Sequence, residues 1–536
     1  MGRKAFITNK YYSDDFEIEY TNTTDAKCRR ALGQFFTPFE VAAFMSEWLL
    51  SGPGNDLNIL DPAAGFGIFE RAIHLQNNEM GKKLSFDLWE IDEKIAEALT
   101  LIIQDMGITG DLVVGDFLSG EWSVRYDGII ANPPYSKHHH IEDKSKVYQD
   151  IRVHTFFKFS IQTNIYCWFL VKALNLLADG GRLAFIIPSE FQNANYGEKV
   201  KSYLLETGLI RSLINVDFRE SVFDSALTTS IIVLAEKSEE KFDSIDFYNL
   251  KSVSDLSTLS DFLSRYPKKT YQVSDLDPAV KWRNYFIGTT KTHANSKLVP
   301  FSKYGRFKRG IATGANNYFT LTDEEAVAYK LPEECLIPCI TKASYARDMV
   351  FTSGDFDELV ETGKRVYLFD GERSSVPPVV EYIQRGEREG ISARFLTRHR
   401  SPWYELEKRG ISKIWVSVFG RKRLKFVWNE SDCINLTCFH AFYPTGEGEK
   451  FFRILFLFLN TRFASELLDK EKREYGNGLE KYEPNDINKS LVVDFNCLPD
   501  DELEELDQMQ AELFEGNEAQ APRILETADT LFRTVL

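Results

Sequence analysis

Apolar runs of strand length alternate with helical patterns between residues 33 and 237 of the 536-residue chain. The strand-like runs cover residues 57–60, 85–90, 112–114, 128–131, 182–187, 210–216 and 230–235. Helical patterns lie between most of them, for example at residues 39–50, 93–106 and 165–177. Such alternation predicts an α/β fold in which helices wrap a mostly parallel sheet. Ligands of these folds bind beyond the carboxyl ends of the strands.

The tetrapeptide Asn132-Pro133-Pro134-Tyr135 follows the predicted buried strand that ends at residue 131. Its two prolines stiffen the turn and lack N–H groups, which leaves their carbonyl oxygens free to accept. The oxygens of Asn132 and Pro133 can each accept one hydrogen of an exocyclic amino group, while Tyr135 stacks on the planar ring that carries it. Withdrawing both hydrogens from the ring plane localises the nitrogen lone pair and makes the amine nucleophilic. The pattern favours amino-group chemistry over the alternative of an ordinary strand-end turn.

The ends of three earlier strands carry glycine, acidic and aromatic residues. Gly65 and Gly67 follow the first strand and allow a ligand to approach the backbone, and the next helix offers N–H groups. Glu90 ends the second strand, where its carboxylate can accept from two ribose hydroxyls. Asp116 follows the third and can accept from an adenine amino group, while Phe117 covers the adenine face. Each residue alone could be a solvated acid, a turn or core, but their succession before the tetrapeptide favours a shared site.

These motifs resemble those of amino-group DNA methyltransferases of the gamma class, the TaqI-like N6-adenine enzymes of type II restriction-modification. Residues 33–38 match the family's N-terminal cofactor motif, residues 61–67 its methionine-binding motif and residues 132–135 its catalytic motif. The resemblance covers about residues 30–237 and implies a Rossmann-like class I fold. It also implies S-adenosylmethionine as the cofactor and in-line displacement from sulfonium to amine, driven by positioning and electrostatics.

The resemblance assigns roles to individual residues of this sequence. The residues it places at the cofactor are Gln34, Phe35, Thr37, Pro38, Asp61, Pro62, Ala63, Gly65, Gly67, Glu90, Ile91, Asp116, Phe117 and Asn132. Catalysis falls to Asn132, Pro133, Pro134 and Tyr135, and Phe223 joins Tyr135 against the target base.

Charge is distributed unevenly along a chain whose net charge is −16. Residues 281–310 carry eight basic residues and no acidic ones, and residues 391–425 carry ten basic residues against Glu405 and Glu407. Such segregation allows a positive surface on an acidic protein, with chance clustering as the alternative. The candidate contacts to double-stranded DNA are Arg306, Lys308, Arg309, Thr313, Asn316, Asn317, Arg398, Arg400, Arg421 and Arg423.

The sequence predicts five consecutive regions. They are an N-terminal segment (1–30), the methyltransferase domain (31–245), a connector (246–295), a mainly β or α+β target recognition domain (296–495) and an acidic helical C-terminal segment (496–536). The chain has no basic-plus-apolar leader and no apolar stretch of membrane-spanning length, so we expect a cytoplasmic protein without a membrane partner. Its seven cysteines show no paired ligand spacing, so no metal site is expected.

We therefore expect a site-specific DNA methyltransferase that modifies the N6 amino group of a flipped adenine in duplex DNA. We expect a monomer that serves a restriction-modification system beside a separate cognate endonuclease. Methylation of cytosine N4 shares the same chemistry and stays open. Methylation of a protein glutamine also uses an Asn-Pro-Pro-Tyr turn, but the basic second domain speaks against it. A catalytically idle DNA-binding subunit is disfavoured by the intact motifs.

Overall fold

The structure is a computed structural model of the chain. It describes residues 10–25, 29, 33–135, 144–216, 229–250, 252–256, 258–288, 297–420, 424–469, 471, 473–475, 479–515 and 520–534. The chain divides into two compact units, Met1–Lys291 with Tyr475–Asn477 and Thr292–Glu474 with Gly478–Leu536.

The first unit alternates strands and helices. Its helices are α1 (Asp15–Thr23), α2 (Phe39–Leu50), α3 (Ile68–Met80), α4 (Glu93–Asp105), α5 (Lys144–Thr155), α6 (Ile165–Leu176), α7 (Gly197–Thr207), α8 (Leu259–Arg265) and α9 (Arg283–Ile287). Its strands are β1 (Asp56–Asp61), β2 (Lys83–Glu90), β3 (Gly110–Val114), β4 (Tyr126–Ala131), β5 (Leu177–Pro188), β6 (Ile210–Val216), β7 (Ser230–Glu236), β8 (Ser244–Asn249) and β9 (Lys268–Gln272).

These strands form one nine-stranded sheet in the order β3-β2-β1-β4-β5-β7-β6-β8-β9. Strand β1 pairs in parallel with both β2 and β4, β2 pairs in parallel with β3, and β7 is antiparallel to β5 and β6. The predicted α/β fold is confirmed. The parallel pairing brings the carboxyl ends of β1, β2, β3 and β4 to one edge, where the strand order reverses between β1 and β4.

The central strands of this sheet are buried on both faces. Neighbouring residues of one strand enter different apolar cores, because side chains alternate across a strand. Ile59 and Ile130 pack with α2 and α3, whereas Leu60 and Ile129 pack with α6. Two buried faces explain why these strands read as continuous apolar runs.

Strands β8 and β9 extend the sheet through a range that the sequence assigns to a connector. Strand β8 pairs in parallel with β6 and antiparallel with β9. The outermost strand, β9, carries the sequence Lys268-Lys269-Thr270-Tyr271-Gln272 and alternates exposed and half-buried positions. The range 246–295 therefore contributes strands to the sheet, whereas the sequence predicted a connector. The sequence did not reveal β9 because an edge strand of this kind has no apolar run.

The second unit combines short strands with helices. Its helices are α10 (Asn316–Phe319), α11 (Asp323–Ala328), α12 (Ser353–Glu361), α13 (Pro377–Arg388), α14 (Glu447–Lys450), α15 (Phe452–Leu459), α16 (Arg462–Asp469), α17 (Pro484–Lys489), α18 (Asp500–Glu515) and α19 (Ala521–Thr534). Strands from Leu298 onward are β10 (Leu298–Pro300), β11 (Gly305–Arg309), β12 (Thr320–Leu321), β13 (Leu336–Ile340), β14 (Val350–Phe351), β15 (Tyr367–Phe369), β16 (Ile414–Ser417), β17 (Phe419–Gly420), β18 (Phe426–Asn429), β19 (Ile434–Asn435), β20 (Phe439–Pro444), β21 (Arg473–Tyr475), β22 (Leu479–Lys481) and β23 (Leu491–Val493).

The two larger sheets of this unit are a five-stranded one in the order β11-β20-β16-β18-β14 and a four-stranded one in the order β12-β15-β13-β19. Smaller sheets pair β10 with β23 and join β17, β22 and β21 in that order. The C-terminal helices, the acidic α18 and the neutral α19, pack on the core of the unit through Leu506, Leu513 and Phe532. The arrangement is α+β, one of the two predicted architectures. None of the helices in the described ranges has the length and apolarity to cross a bilayer.

Candidate active site

The turn between β1 and α3 leaves its backbone open on one side. Asp61 ends β1, and its Oδ1 accepts from the N–H of Ala63 at 2.9 Å. Gly65 has a φ of 56°, in the left-handed region that favours glycine. A Cβ added to Gly65 would meet no atom within 4 Å. The glycine is therefore required by backbone conformation, and a ligand can lie directly against the turn.

Glu90 ties the end of β2 to this glycine turn. Its Oε2 accepts from the N–H of Gly65 at 3.0 Å, and its Oε1 accepts from the N–H of Asp92 at 2.8 Å. The N–H of Ala64 donates to the carbonyl of Trp89 at 2.9 Å. Burial raises the pKa of Glu90. Each carboxylate oxygen keeps a second lone pair, so the fixed carboxylate can still accept from a ligand hydroxyl.

A buried lysine on α6 binds the segment that follows β3. Asp116 Oδ1 accepts from the N–H of Leu118 at 2.9 Å. Lys172 Nζ donates to the carbonyls of Phe117 at 2.7 Å and Gly120 at 2.6 Å. The same ammonium lies 4.6 Å from the centroid of the Phe117 ring. Burial lowers the pKa of Lys172 to about 8.

The amide of Asn132 has a fixed orientation. Its Nδ2 donates to the carbonyl oxygen of Phe35 at 2.7 Å and to Thr37 Oγ1 at 2.9 Å. A backbone carbonyl can only accept, so the amide nitrogen must face Phe35. Asn132 Oδ1 is buried and has no hydrogen-bond partner among the described residues. Both donor hydrogens are thus used within the protein, and an acceptor is left over.

Tyr135 packs against the N-terminal motif. Its N–H donates to the carbonyl of Gly33 at 3.0 Å. Its ring stacks on Phe35 with centroids 4.9 Å apart and planes 24° apart, and Tyr166 meets it edge-on at 6.3 Å. Burial raises the pKa of the Tyr135 hydroxyl. Phe35 thus occupies one face of the ring that the sequence assigned to stacking on a substrate.

The N-terminal helix α1 reaches the same site, which the sequence did not indicate. Tyr20 on α1 donates through its hydroxyl to Gln34 Oε1 at 3.2 Å. Glu17 on α1 is buried and forms an ion pair with the buried Arg71 of α3. The sequence signal for this helix is weak, since residues 15–23 contain only a short polar pattern with two aromatic residues four positions apart.

A cavity of about 150 Å³ lies among these segments. The predicted residues that line it are Gln34, Phe35, Thr37, Pro62, Ala63, Gly65, Glu90, Ile91, Asp116, Phe117, Asn132 and Pro134. Additional lining residues that the sequence did not assign include Glu17, Phe36, Phe66, Phe69, Trp89 and Phe169. Most of these are aromatic, and in sequence they cannot be told from core residues.

The remaining predicted residues of this unit support the cavity from outside its lining. Asp61 holds the glycine turn, Pro38 directly precedes α2, and Gly67 directly precedes α3. Pro133 and Tyr135 belong to the turn after β4. Phe223 lies outside the described residues.

The predicted DNA contacts of the second unit fall into two groups. The exposed ones are Arg306, Lys308, Arg309, Asn316, Asn317 and Arg398. Thr313 is only 1 % exposed, and its hydroxyl donates to Asn316 Oδ1. Arg400 donates to the carbonyls of Thr313 and Ala312.

Thr313 and Arg400 therefore shape the loop between β11 and α10, which differs from the direct role that the sequence predicted for them. The residue type alone does not reveal whether a polar side chain forms its hydrogen bonds within the protein or is free to contact DNA. Arg421 and Arg423 lie outside the described residues.

Comparison with known proteins gives the family. Residues 279–530 match the model of the C-terminal domain of type II methyltransferase M.Eco57I, and residues 68–223 match the Eco57I restriction-modification methylase model. The chain is 39% identical over 498 residues to type II methyltransferase M.AccI of Acinetobacter calcoaceticus, which covers 92% of this chain and 91% of that protein. The chain belongs to the type II DNA methyltransferases of restriction-modification systems. The predicted restriction-modification family is confirmed.

Other type II methyltransferases and related structures resemble this one over most of their length. The M.XamI enzyme of Xanthomonas campestris pv. amaranthicola is 23% identical over 473 residues, covering 86% of this chain and 85% of that protein. The chain also resembles the structure of the type IIL restriction-modification enzyme MmeI in complex with DNA. That match covers 96% of this chain and 77% of the MmeI chain, with a TM-score of 0.60 at 13% identity. At this identity the match shows that the two proteins share a fold.

Proposed function

We propose that this type II methyltransferase transfers a methyl group from S-adenosylmethionine to the N6 amino group of an adenine in duplex DNA. The observation that carries the proposal is the amide of Asn132. Its two hydrogens donate to Phe35 and Thr37, and its buried Oδ1 has no partner within the described residues. A buried acceptor without a partner is costly, and an incoming amino group would satisfy it.

The residues around the cavity fit the proposed cofactor. The open backbone at Gly65 leaves room for the methionine part, and the free lone pairs of Glu90 suit the ribose hydroxyls. Phe117 offers an aromatic wall for the adenine, and Asp116 has a second carboxylate oxygen for its amino group. Bound S-adenosylmethionine would supply an electrophilic methyl group on a sulfonium, and the fold and family of the chain imply this cofactor.

The turn after β4 would prepare the target amine. Asn132 Oδ1 and the carbonyl of Pro133 would each accept one amino hydrogen, which localises the lone pair toward the methyl group. Extruding the base from the duplex costs a few kcal/mol. Stacking on the face of Tyr135 that Phe35 does not cover, worth about 1–3 kcal/mol, would offset part of that cost.

The second unit would hold the DNA. Strand β11 presents three exposed cations, Arg306, Lys308 and Arg309, within a segment of five residues. Cations at this density suit the phosphate backbone, which dominates affinity for DNA and makes it dependent on salt. The structural relative MmeI was determined in complex with DNA, which supports the same partner here.

The proposal further includes a cytoplasmic monomer that protects DNA against a separate cognate endonuclease. Such an enzyme would modify its sites without cleaving them. Mass photometry of the chain with and without duplex DNA reports the stoichiometry directly.

Identification of the methylated nucleoside tests the function. Wild-type protein and the Asn132→Ala variant would be incubated with plasmid DNA and methyl-labelled S-adenosylmethionine, and the DNA would be digested to nucleosides. We expect N6-methyl-2′-deoxyadenosine as the labelled nucleoside from the wild type and none from the variant. Label in N4-methyl-2′-deoxycytidine would contradict the target base, and absence of label in DNA would contradict the activity.

A further inference from the structure

Glu17 lies in the cavity although it belongs to none of the matched motifs. It is 1 % exposed and lines the cavity from α1. Its Oε1 accepts from Arg71 Nη2. Its Oε2 is buried and has no hydrogen-bond partner in the part of the chain that the structure describes. Glu17 therefore lies in the wall of the proposed cofactor site and carries one unused carboxylate oxygen.

Arg71 fixes where along the cavity this oxygen lies. Its Nε donates to the carbonyl of Gly67 at 3.2 Å, directly after the glycine turn. Its Nη1 donates to the carbonyl of Ser13 at 2.9 Å, just before α1. One guanidinium thus joins α1 to the first turn of α3. Glu17 is held beside the glycine turn, which is the methionine end of the proposed cofactor site.

Further contacts hold α1 in this position. Asp14 Oδ1 accepts from the N–H of Phe39 at 2.7 Å. The ring of Tyr20 lies 5.3 Å from that of Phe66 and 5.9 Å from that of Phe36, and both of these phenylalanines line the cavity. The helix is therefore a fixed part of the cavity wall.

The unused oxygen of Glu17 suits a cationic hydrogen-bond donor. A buried carboxylate with only one oxygen satisfied is costly, and a charge-assisted hydrogen bond from a cation is the strongest available compensation. Burial raises the pKa of Glu17 to about 7, although the neighbouring guanidinium of Arg71 acts to lower it. The methionine part of S-adenosylmethionine carries an ammonium group.

We propose that Glu17 Oε2 accepts a hydrogen bond from the α-ammonium group of the bound cofactor, so that α1 forms the wall of the methionine end of the site. This inference rests on the proposed use of S-adenosylmethionine. It adds a cofactor-binding residue to those that the matched motifs supply.

A pair of nucleosides that differ in the amino-acid part tests the assignment. S-adenosylhomocysteine carries the ammonium group, and 5′-methylthioadenosine lacks the whole amino-acid part. Their affinities for the full-length wild type, Glu17→Gln and Glu19→Gln would be measured by calorimetry. Glu19 is exposed on the same helix and provides a matched control. Glutamine at position 17 can still accept from Arg71 through its single oxygen but offers the ammonium only a donor.

We expect Glu17→Gln to weaken S-adenosylhomocysteine binding by about tenfold or more and to leave 5′-methylthioadenosine within about twofold. Glu19→Gln should change neither affinity. Equal weakening of both nucleosides, or no weakening of either, would overturn the assignment. If Glu17→Gln does not fold, Glu17→Asp decides by the same comparison, because it keeps the charge but shortens its reach. Failure of the wild type to bind S-adenosylhomocysteine would instead contradict the proposed cofactor itself.

Discussion

The side-chain nitrogen of Asn132 donates to the hydroxyl of Thr37 at 2.9 Å. This bond joins the turn after β4 to the segment that precedes α2. Thr37 is 2 % exposed, so the bond is protected from water. The orientation of the amide, and therefore the position of its free oxygen, depends on a residue that need not touch the target base.

Replacing Thr37 with valine keeps the shape of the side chain and removes the acceptor. The loss of one buried hydrogen bond, worth about 1–2 kcal/mol, should lower kcat for methyl transfer by roughly five- to thirtyfold. Thr37→Ser retains the hydroxyl and should keep most of the activity. Steady-state kinetics with duplex DNA make the comparison, and equal activities of the valine and serine variants would show that the hydroxyl does not orient Asn132.

Glu90 should matter for every ligand that carries a ribose. Glu90→Gln removes the charge and places a donor toward the N–H of either Gly65 or Asp92. We expect S-adenosylhomocysteine and 5′-methylthioadenosine to bind about tenfold more weakly or worse, in contrast to the selective effect at Glu17. Glu93, exposed at the start of α4, provides the control variant Glu93→Gln. Unchanged calorimetric affinities would remove Glu90 from the site.

Lys172 should affect cofactor binding indirectly, because it holds residues 117–120 in place. Lys172→Met leaves the carbonyls of Phe117 and Gly120 without their buried donor. The expected result is a KM for S-adenosylmethionine raised by about tenfold, with a smaller change in kcat, because the adenine wall loosens while the turn after β4 stays intact. The exposed Lys158 allows a matched Lys158→Met control. A loss confined to kcat would contradict a role at the cofactor.

The buried carboxyl groups of Asp61 and Glu70, which flank the glycine turn in sequence, should make the free energy of unfolding depend on pH. Burial raises the pKa of Glu70 to about 7, and burial together with Glu70 raises the pKa of Asp61. Neither oxygen of Glu70 has a hydrogen-bond partner among the residues that the structure describes. Because the folded protein binds more protons than the unfolded chain between about pH 4.5 and pH 7, these groups should make it less stable as pH rises through that window.

Glu70→Gln should therefore raise the melting temperature at pH 8 more than at pH 5, with a gain of up to about 3 kcal/mol at the higher pH. Glu79→Gln, at an exposed position of the same helix, should leave the pH profile unchanged. Calorimetric melting of the ligand-free protein at the two pH values gives the answer. Parallel profiles for wild type and Glu70→Gln would mean that Glu70 does not titrate in this range.

Much of the first unit could be predicted because its signals are local. The central strands β4 and β5 contain continuous buried apolar runs, and Glu90, Asp116 and Asn132 stand at or just after the ends of strands. The edge strand β9 was not predicted from the sequence. It pairs with β8 alone and its residues are exposed or half-buried, so its sequence contains no apolar run. Helix α1 was missed because its place depends on Glu17 meeting Arg71, a contact 54 residues apart that no local pattern shows.

The predicted site was incomplete for a similar reason. Polar motif residues identify an edge of the sheet, but the aromatic walls of the cavity have the same residue types as the core. Conversely, Thr313 and Arg400 have the residue types of DNA contacts, and only the fold shows that they bind their own loop. Where several motifs converge, sequence patterns thus predicted which residues line one cavity. They did less well where single side chains had to be assigned.

A structure of the chain with S-adenosylhomocysteine and duplex DNA would show whether the Asn132 amide binds the target amine. The measured quantity is the distance from Asn132 Oδ1 to the N6 atom of the target adenine. We expect about 3 Å, with Nδ2 still bound to Phe35 and Thr37 and the base outside the duplex. An adenine left in the helix, or an Asn132 oxygen directed at another partner, would contradict it.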